Sequence, residues 1–399
     1  MIYFPVGSFA VGAAVGAAVT WIVKNRSHSR LPVDAVPPPI FEVIHSSPGQ
    51  IRFRLQALRH DVGFATRLRA LMSASASVVA TTVHPAAASI NVAYTAADLT
   101  EAQIKERFST AINQAADPGF EISLDAHLSG YELHGLTAYE YLRVRDIMAW
   151  QATDPSAYRT LSGKVMAPIK RAADAMVPDR LLKKAMPIMQ SAMSNWHREW
   201  DALKKHAGVD HLEQLKEPPL ETSDRLAEWV KDRALEHGSV QGGLSMAIGY
   251  AGDLVYADLY IRVAIETIHR TGLCYGYAPR TELEQRFAWA VLAIATASDA
   301  GERQAALARL QDVHQALYQQ VVGTLIEETV VGDLSEIIAE PILTGMLSRI
   351  LETEAAGGVP GIGIAFGVAD GVGLIKDVSS AARHEFQLRW LLENQAKAG

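Results

Sequence analysis

The apolar residues of this chain change their spacing once, and that change limits the fold more than any other feature. Between Phe41 and Leu124 the spacing switches in regular order between two and about 3.6 residues, whereas past Gly135 only the longer spacing recurs. A period of two puts alternate side chains on one face of a strand, and the longer period puts them on one stripe of a helix. The chain therefore reads as a small mixed segment followed by a long helical one.

Within the mixed segment, Phe41 to His45 and Ile51 to Leu55 alternate like one strand interrupted at Pro48-Gly49. Val62 to Met72 is helical, and Val78 to His84 and Ser89 to Tyr94 are strands parted by a turn around Pro85. Thr100 to Ala115 is helical again, and Phe120 to Leu124 supplies a closing strand. The order βαββαβ predicts an antiparallel sheet with two helices on one face, the ferredoxin-like split βαβ arrangement, over residues 41–126.

Residues 137–396 form a predicted all-α domain, so the fold class is α+β. Thr137 to Ala152 ends before Asp154-Pro155, Leu161 to Met176 ends before Pro178, and Ser223 to His237 begins after Pro218-Pro219. Asp179 to His206 is amphipathic and carries Trp196 and Trp200. Gly238 to Gly276 and Val321 to Ile375 are long, apolar and rich in Gly and Ala, which predicts Gly-rich helical hairpins on either side of the charged stretch Arg280 to Gln320. Val378 to Gln395 closes the chain as an amphipathic helix.

Ahead of all this, Met1 to Val23 holds no charged side chain, and Lys24, Arg26 and Arg30 follow at once. Tyr3 and Trp21 bracket a length that a helix would stretch to about 27 Å, close to a bilayer core. Residues 1–26 are thus expected to be a transmembrane helix that anchors the chain in the cytoplasmic (inner) membrane. The trailing basic residues place the body in the cytoplasm and argue against a cleaved leader. Ser8, Gly12, Gly16 and Thr20 recur every four residues, a smooth stripe that lets a second helix approach and allows self-association. Residues 27–40, with Pro32 and Pro37-Pro38-Pro39, read as a stiff linker.

Charge narrows the partners. The net charge is -7 and the 37 Lys and Arg are scattered, which gives no broad basic face and disfavours nucleic acid. The single cysteine, Cys274, excludes an intrachain disulfide and a Cys-rich metal site.

Two resemblances follow from particular residues. The run His45-Ser46-Ser47-Pro48-Gly49-Gln50-Ile51-Arg52-Phe53-Arg54-Leu55, with the pattern after it, resembles the heavy-metal-associated-like domain in a form without cysteines. That family passes soft metals through a CxxC before the first helix. Here the matching loop is Gln56-Ala57-Leu58-Arg59-His60, so the resemblance implies the fold and not the metal site. From Tyr139 to Leu392 the chain resembles the EcsC family. This rests on Tyr139-Glu140-Tyr141-Leu142 with Trp150, on Gly238, Gly242 and Gly243 leading to Asp253 and Asp258, on Leu259 to Arg262, and on Gly272 with Tyr275-Gly276-Tyr277. Gly358-Val359-Pro360-Gly361-Ile362-Gly363, Asp377 and Ala381-Ala382-Arg383 complete it. The resemblance implies membrane association and a supporting role near transport or envelope machinery.

Several residues are candidates for chemistry. Asp253 and Asp258 stand in an apolar tract where an unpaired carboxylate is costly, and Arg262 lies one turn from Asp258 as a structural partner. Glu266 and His269 make an ExxH, half the pattern of a carboxylate-bridged di-iron bundle. Asp253, Asp258, Glu266 and His269 are therefore the candidate metal ligands, set against the plainer reading of a pair that fixes helix register. His45 and His60 are weaker substitutes for the missing thiolates. Cys274 with His269 outlines a nucleophile pair, against a small apolar filler. Gly363, Gly367 and Gly371 fall four apart and predict close helix packing rather than a dinucleotide fingerprint. Glu327, Glu328, Asp333, Glu336 and Glu340 read as a solvated acidic stripe.

Together these features predict a non-enzymatic, membrane-anchored accessory protein that needs no cofactor and contacts lipid and a membrane protein such as a transporter. A metal-handling protein serving iron or another hard cation is the alternative, and a hydrolase hidden in the helical body is a third.

Overall fold

A computed structural model describes residues 41–128, 130–153, 196–247, 253–297, 299–321 and 363–398. The expected span over 1–26 with Gly12 and Gly16, the linker over 27–40, the helix over 161–176 and the acidic residues from Glu327 to Glu340 lie outside them. Among the described residues no helix is long and apolar enough to cross a membrane. The chain is mixed α/β with a helical C-terminal body, and it divides into two units, Met1–Val144 and Arg145–Gly399.

The first unit holds a four-stranded antiparallel sheet in the order β1-β2-β4-β3. β1 (Glu42–Ser47) and β2 (Gln50–Arg54) form a hairpin. At its tip Pro48 presets the first central position and Gly49 takes a φ of 79°, the Pro-Gly signature of a tight turn. The expected single interrupted strand is thus two strands folded back on each other. α1 (Ala57–His60) and α2 (Val62–Ser73) lead to β3 (Val78–His84), which turns into β4 (Ser89–Tyr94), and α3 (Glu101–Ala116) follows. β4 lies between β2 and β3, antiparallel to both.

The expected closing strand is the second correction. The edge beside β2 is already filled by β1, so the chain after α3 cannot enter there. It pairs instead as a separate hairpin, β5 (Leu124–Leu128) with β6 (Tyr131–Leu136). One face of the four-stranded sheet is the core: Ile51, Phe53, Ile90 and Val92 pack with Phe64, Leu68, Ile104 and Phe108. Phe53 and Phe108 stack at 3.7 Å, with Phe41 edge-on to both. Local chemistry fixes where the helices start. Asp61 accepts from the Phe64 amide at 2.7 Å, and Thr100 with Gln103 forms a reciprocal capping box.

α4 (Ala138–Gln151) opens the helical part, followed by α5 (Trp196–Ala207), a 3-10 turn (Leu212–Lys216), α6 (Leu220–Ala247) and α7 (Asp253–Cys274). α8 (Glu282–Thr296), α9 (Ala300–Val321) and α10 (Gly363–Ala398) complete it. α6 does not stop at His237. It runs through Gly238, Gly242 and Gly243 to Ala247, because an α-helix tolerates glycine at about 1 kcal/mol each when packing holds it. From Gly363 on, the end of the second Gly-rich tract and the closing amphipathic segment likewise merge into the 36-residue α10, on which Gly363, Gly367 and Gly371 all fall.

Candidate functional site

The centre of the helical body is the C-terminal half of α10, and its buried polar residues form the candidate site. From Glu385 to Glu393 every residue is buried, including Glu385, Gln387, Arg389 and Glu393. Over this stretch the expected amphipathic closing helix is therefore enclosed on all sides, and each of its polar groups must find a partner in the surrounding elements.

Those partners come from a different neighbour for nearly every residue. Arg389 forks onto Glu284 of α8 with two bonds of 2.6 Å and reaches Glu393, one turn along, at 2.8 Å. Its guanidinium also lies 3.8 Å from the centre of the Tyr277 ring. Lys216 of the 3-10 turn stands 3.8 Å from Glu393 and 4.5 Å from the centre of the same Tyr277 ring. Two cations thus meet two carboxylates, and the charge balances. Burial alone would lower the Arg389 pKa, but Glu284 outweighs it and holds the group above its ordinary value. For Lys216 burial dominates and lowers the ammonium.

Asp224 of α6 gathers a second set. It accepts from the Tyr275 hydroxyl and from Gln387 Nε2 at 2.7 Å, and Arg383 stands 3.7 Å away while bonding Glu228 at 2.8 Å. Burial, then the Asp224 charge, pushes the Tyr275 phenol well up, so it stays a neutral donor. On another side, His314 of α9 meets Glu385 at 3.2 Å, with both side chains buried. Trp150 of α4 is covered by His384 on one face at 4.7 Å and by the Arg303 guanidinium at 4.4 Å. Trp390 Nε1 and Asn394 Nδ2 cap the carbonyls of Leu215 and Lys216.

The residues singled out from sequence sit on α7. The helix is continuous from Asp253 to Cys274, which sets Asp253 and Asp258 about 24 and about 16 Å from His269 along the axis. One ion cannot take all four, and only Glu266 and His269, one turn apart, are close enough to share a ligand. Glu266 receives Arg270 at 3.4 Å, and Arg270 forks onto Glu199 of α5 at 2.5 and 3.1 Å. Burial raises the Glu266 carboxyl. His269 is buried, its Nε2 meets no partner among the described residues, and burial lowers its pKa to about 4, so the ring is neutral. Among the described residues no three His, Cys, Asp or Glu gather as a metal site. His45 and His60 are exposed on separate elements, β1 and α1. Cys274 is buried, donates to the Arg270 carbonyl at 3.1 Å, and is held well above the ordinary thiol range by burial, the opposite of an activated thiolate.

Sequence reading missed Asp224, Glu284, Glu385, Arg389 and Glu393. Arg389 and Glu393 at i,i+4 in a segment with Phe386, Leu388, Trp390, Leu391 and Leu392 carried the available signal: too many apolar residues for a surface helix.

These features define a class: an α-helical body assembled around one buried C-terminal helix whose charges are neutralised by its neighbours. The chain belongs to the EcsC protein family, whose model matches residues 142–391. The match ends within α10 just past Trp390 and leaves the sheet-bearing module outside it. Comparison with curated proteins and with solved structures finds no match.

Proposed function

We propose that this protein is a non-enzymatic, membrane-anchored accessory protein, with residues 1–26 as the anchor and the helical body as a rigid platform for a membrane-protein partner such as a transporter subunit. The reading is supported most by the commitment of the core charges to one another. A general acid, base or nucleophile needs a lone pair or proton free for substrate, whereas Asp224, Glu284, Arg389 and Glu393 spend theirs across helices. The charge-free first 23 residues and the supporting role implied by the EcsC resemblance point the same way. The N-terminal module, which resembles the heavy-metal-associated-like domain but has no thiolates, serves as a partner-binding element. Cell fractionation without detergent tests the anchor: the intact chain goes to the membrane fraction, and recovery in the soluble fraction refutes the reading. A detergent-solubilised pull-down that retains a transporter subunit supports the accessory role.

A second reading is favoured by one observation, the neutral His269 ring, whose Nε2 meets no partner among the described residues, one turn from Glu266. Ligand imidazoles bind metal in the neutral form, so this pair suits iron or another hard cation. Elemental analysis of purified protein decides it: a stoichiometric metal lost in His269→Gln supports metal handling, and no metal above background removes it.

A further inference from the structure

The outward face of α5 carries an excess of positive charge. His197, Arg198, Asp201, Lys204 and Lys205 are all exposed, and their spacing puts them on one strip of the helix about 120° wide. The opposite strip, Trp196, Trp200, Leu203 and Ala207, is buried or half-buried. Elsewhere on the described surface arginines and lysines are commonly paired: Arg280 with Glu213, Lys231 with Glu228, Lys105 with Glu101. Arg198, Lys204 and Lys205 meet no carboxylate among the described residues, and Asp201 is the single acid on the strip. In a chain with a net charge of -7, such a strip is a local reversal of sign.

We propose that this face rests on an anionic lipid surface. Two features favour lipid phosphates over an acidic protein. Two of its three cations are lysines, mobile point charges suited to a diffuse field rather than to a fixed carboxylate fork. At the start of the helix the half-buried Trp196 stacks on His197 of the strip at 3.6 Å, which brings to its edge a side chain of the type that settles at a headgroup boundary. The proposal rests on the membrane-associated reading for where the chain resides, but not on the anchor itself.

The full-length chain is diluted from detergent onto preformed vesicles of phosphatidylcholine, with or without phosphatidylglycerol. After flotation, exposed lysines are acetylated with a membrane-impermeant reagent and read by mass spectrometry, with Lys105 as the internal reference. The expected result is a several-fold fall in Lys204 and Lys205 labelling only when phosphatidylglycerol is present, reversed by high salt. Combined Lys204→Glu and Lys205→Glu substitution, at exposed positions that leave the helical circular dichroism unchanged, abolishes any preference for the anionic vesicles. Flotation with anionic vesicles alone supports the lipid-facing strip while refuting the anchor. Flotation with both vesicle types but equal lysine labelling keeps the anchor and overturns the strip, and protection of these lysines only by an added acidic protein overturns it as well.

Discussion

At the scale of single residues, Arg389 carries the largest electrostatic stake. Arg389→Met would leave the buried Glu393 and the half-buried Glu284 with Lys216 as their one cation among the described residues, and breaking a buried ion pair on one side costs about 3–5 kcal/mol. Urea denaturation of the variant should show that loss. Gly272 has a steric role: a Cβ there would stand 2.6 Å from Phe386 Cζ, in a ring cluster with Tyr275, Tyr277 and Phe287 that has no room to yield. Gly272→Ala should destabilise by about 1–3 kcal/mol despite its better helix propensity, seen as a lower Tm. His269 adds a pH dependence. Its ring titrates at about 4 when folded and near 6.5 when unfolded. Between these values the unfolded chain binds the extra proton, so stability falls as pH drops from 6.5 toward 4, by up to about 3 kcal/mol. His269→Gln should flatten that part of a urea-midpoint profile. The sequence exposed Glu266 and His269 as polar intrusions on an apolar helix, but it could not show that Arg270 bridges Glu266 to Glu199, because Glu199 lies 71 positions from Arg270.

At the scale of elements, local signals decided starts and lengths, and competition between elements decided pairing. The Thr100 and Gln103 box fixes the start of α3, and Thr100→Ala should cost about 1 kcal/mol in thermal melts. Pro48-Gly49 was legible as a break, yet whether the chain resumes in line or folds back depends on which sheet edge is free. β1 takes the edge next to β2 through Val43 opposite Phe53 and Ser46 opposite Ile51, and the later strand is excluded. The glycines at 238, 242 and 243 open the tract that predicts Gly-rich hairpins, but a helix ends only where a capping conformation forms, and α6 continues through them to Ala247.

At the scale of the whole molecule, the prediction concerns location. Removal of residues 1–26 should move the protein from the membrane to the soluble fraction, measured by immunoblot of separated fractions, while leaving the helical circular dichroism intact. The chain divides into two units after Val144, a little past the change in apolar spacing at Gly135. By itself the sequence determined the helices α2 and α3 and the strands β3 and β4 between them, the family of the helical body and the lack of a CxxC, since these depend on residue type and short-range period. Only the tertiary structure decided that the closing helix is enclosed, that Arg389 answers Glu284 and that Asp224 answers Tyr275 and Gln387. Those partners stand 105, 51 and 163 positions apart. A buried charge is tolerated only where an opposite one arrives beside it, and that meeting is a property of packing, not of spacing along the chain.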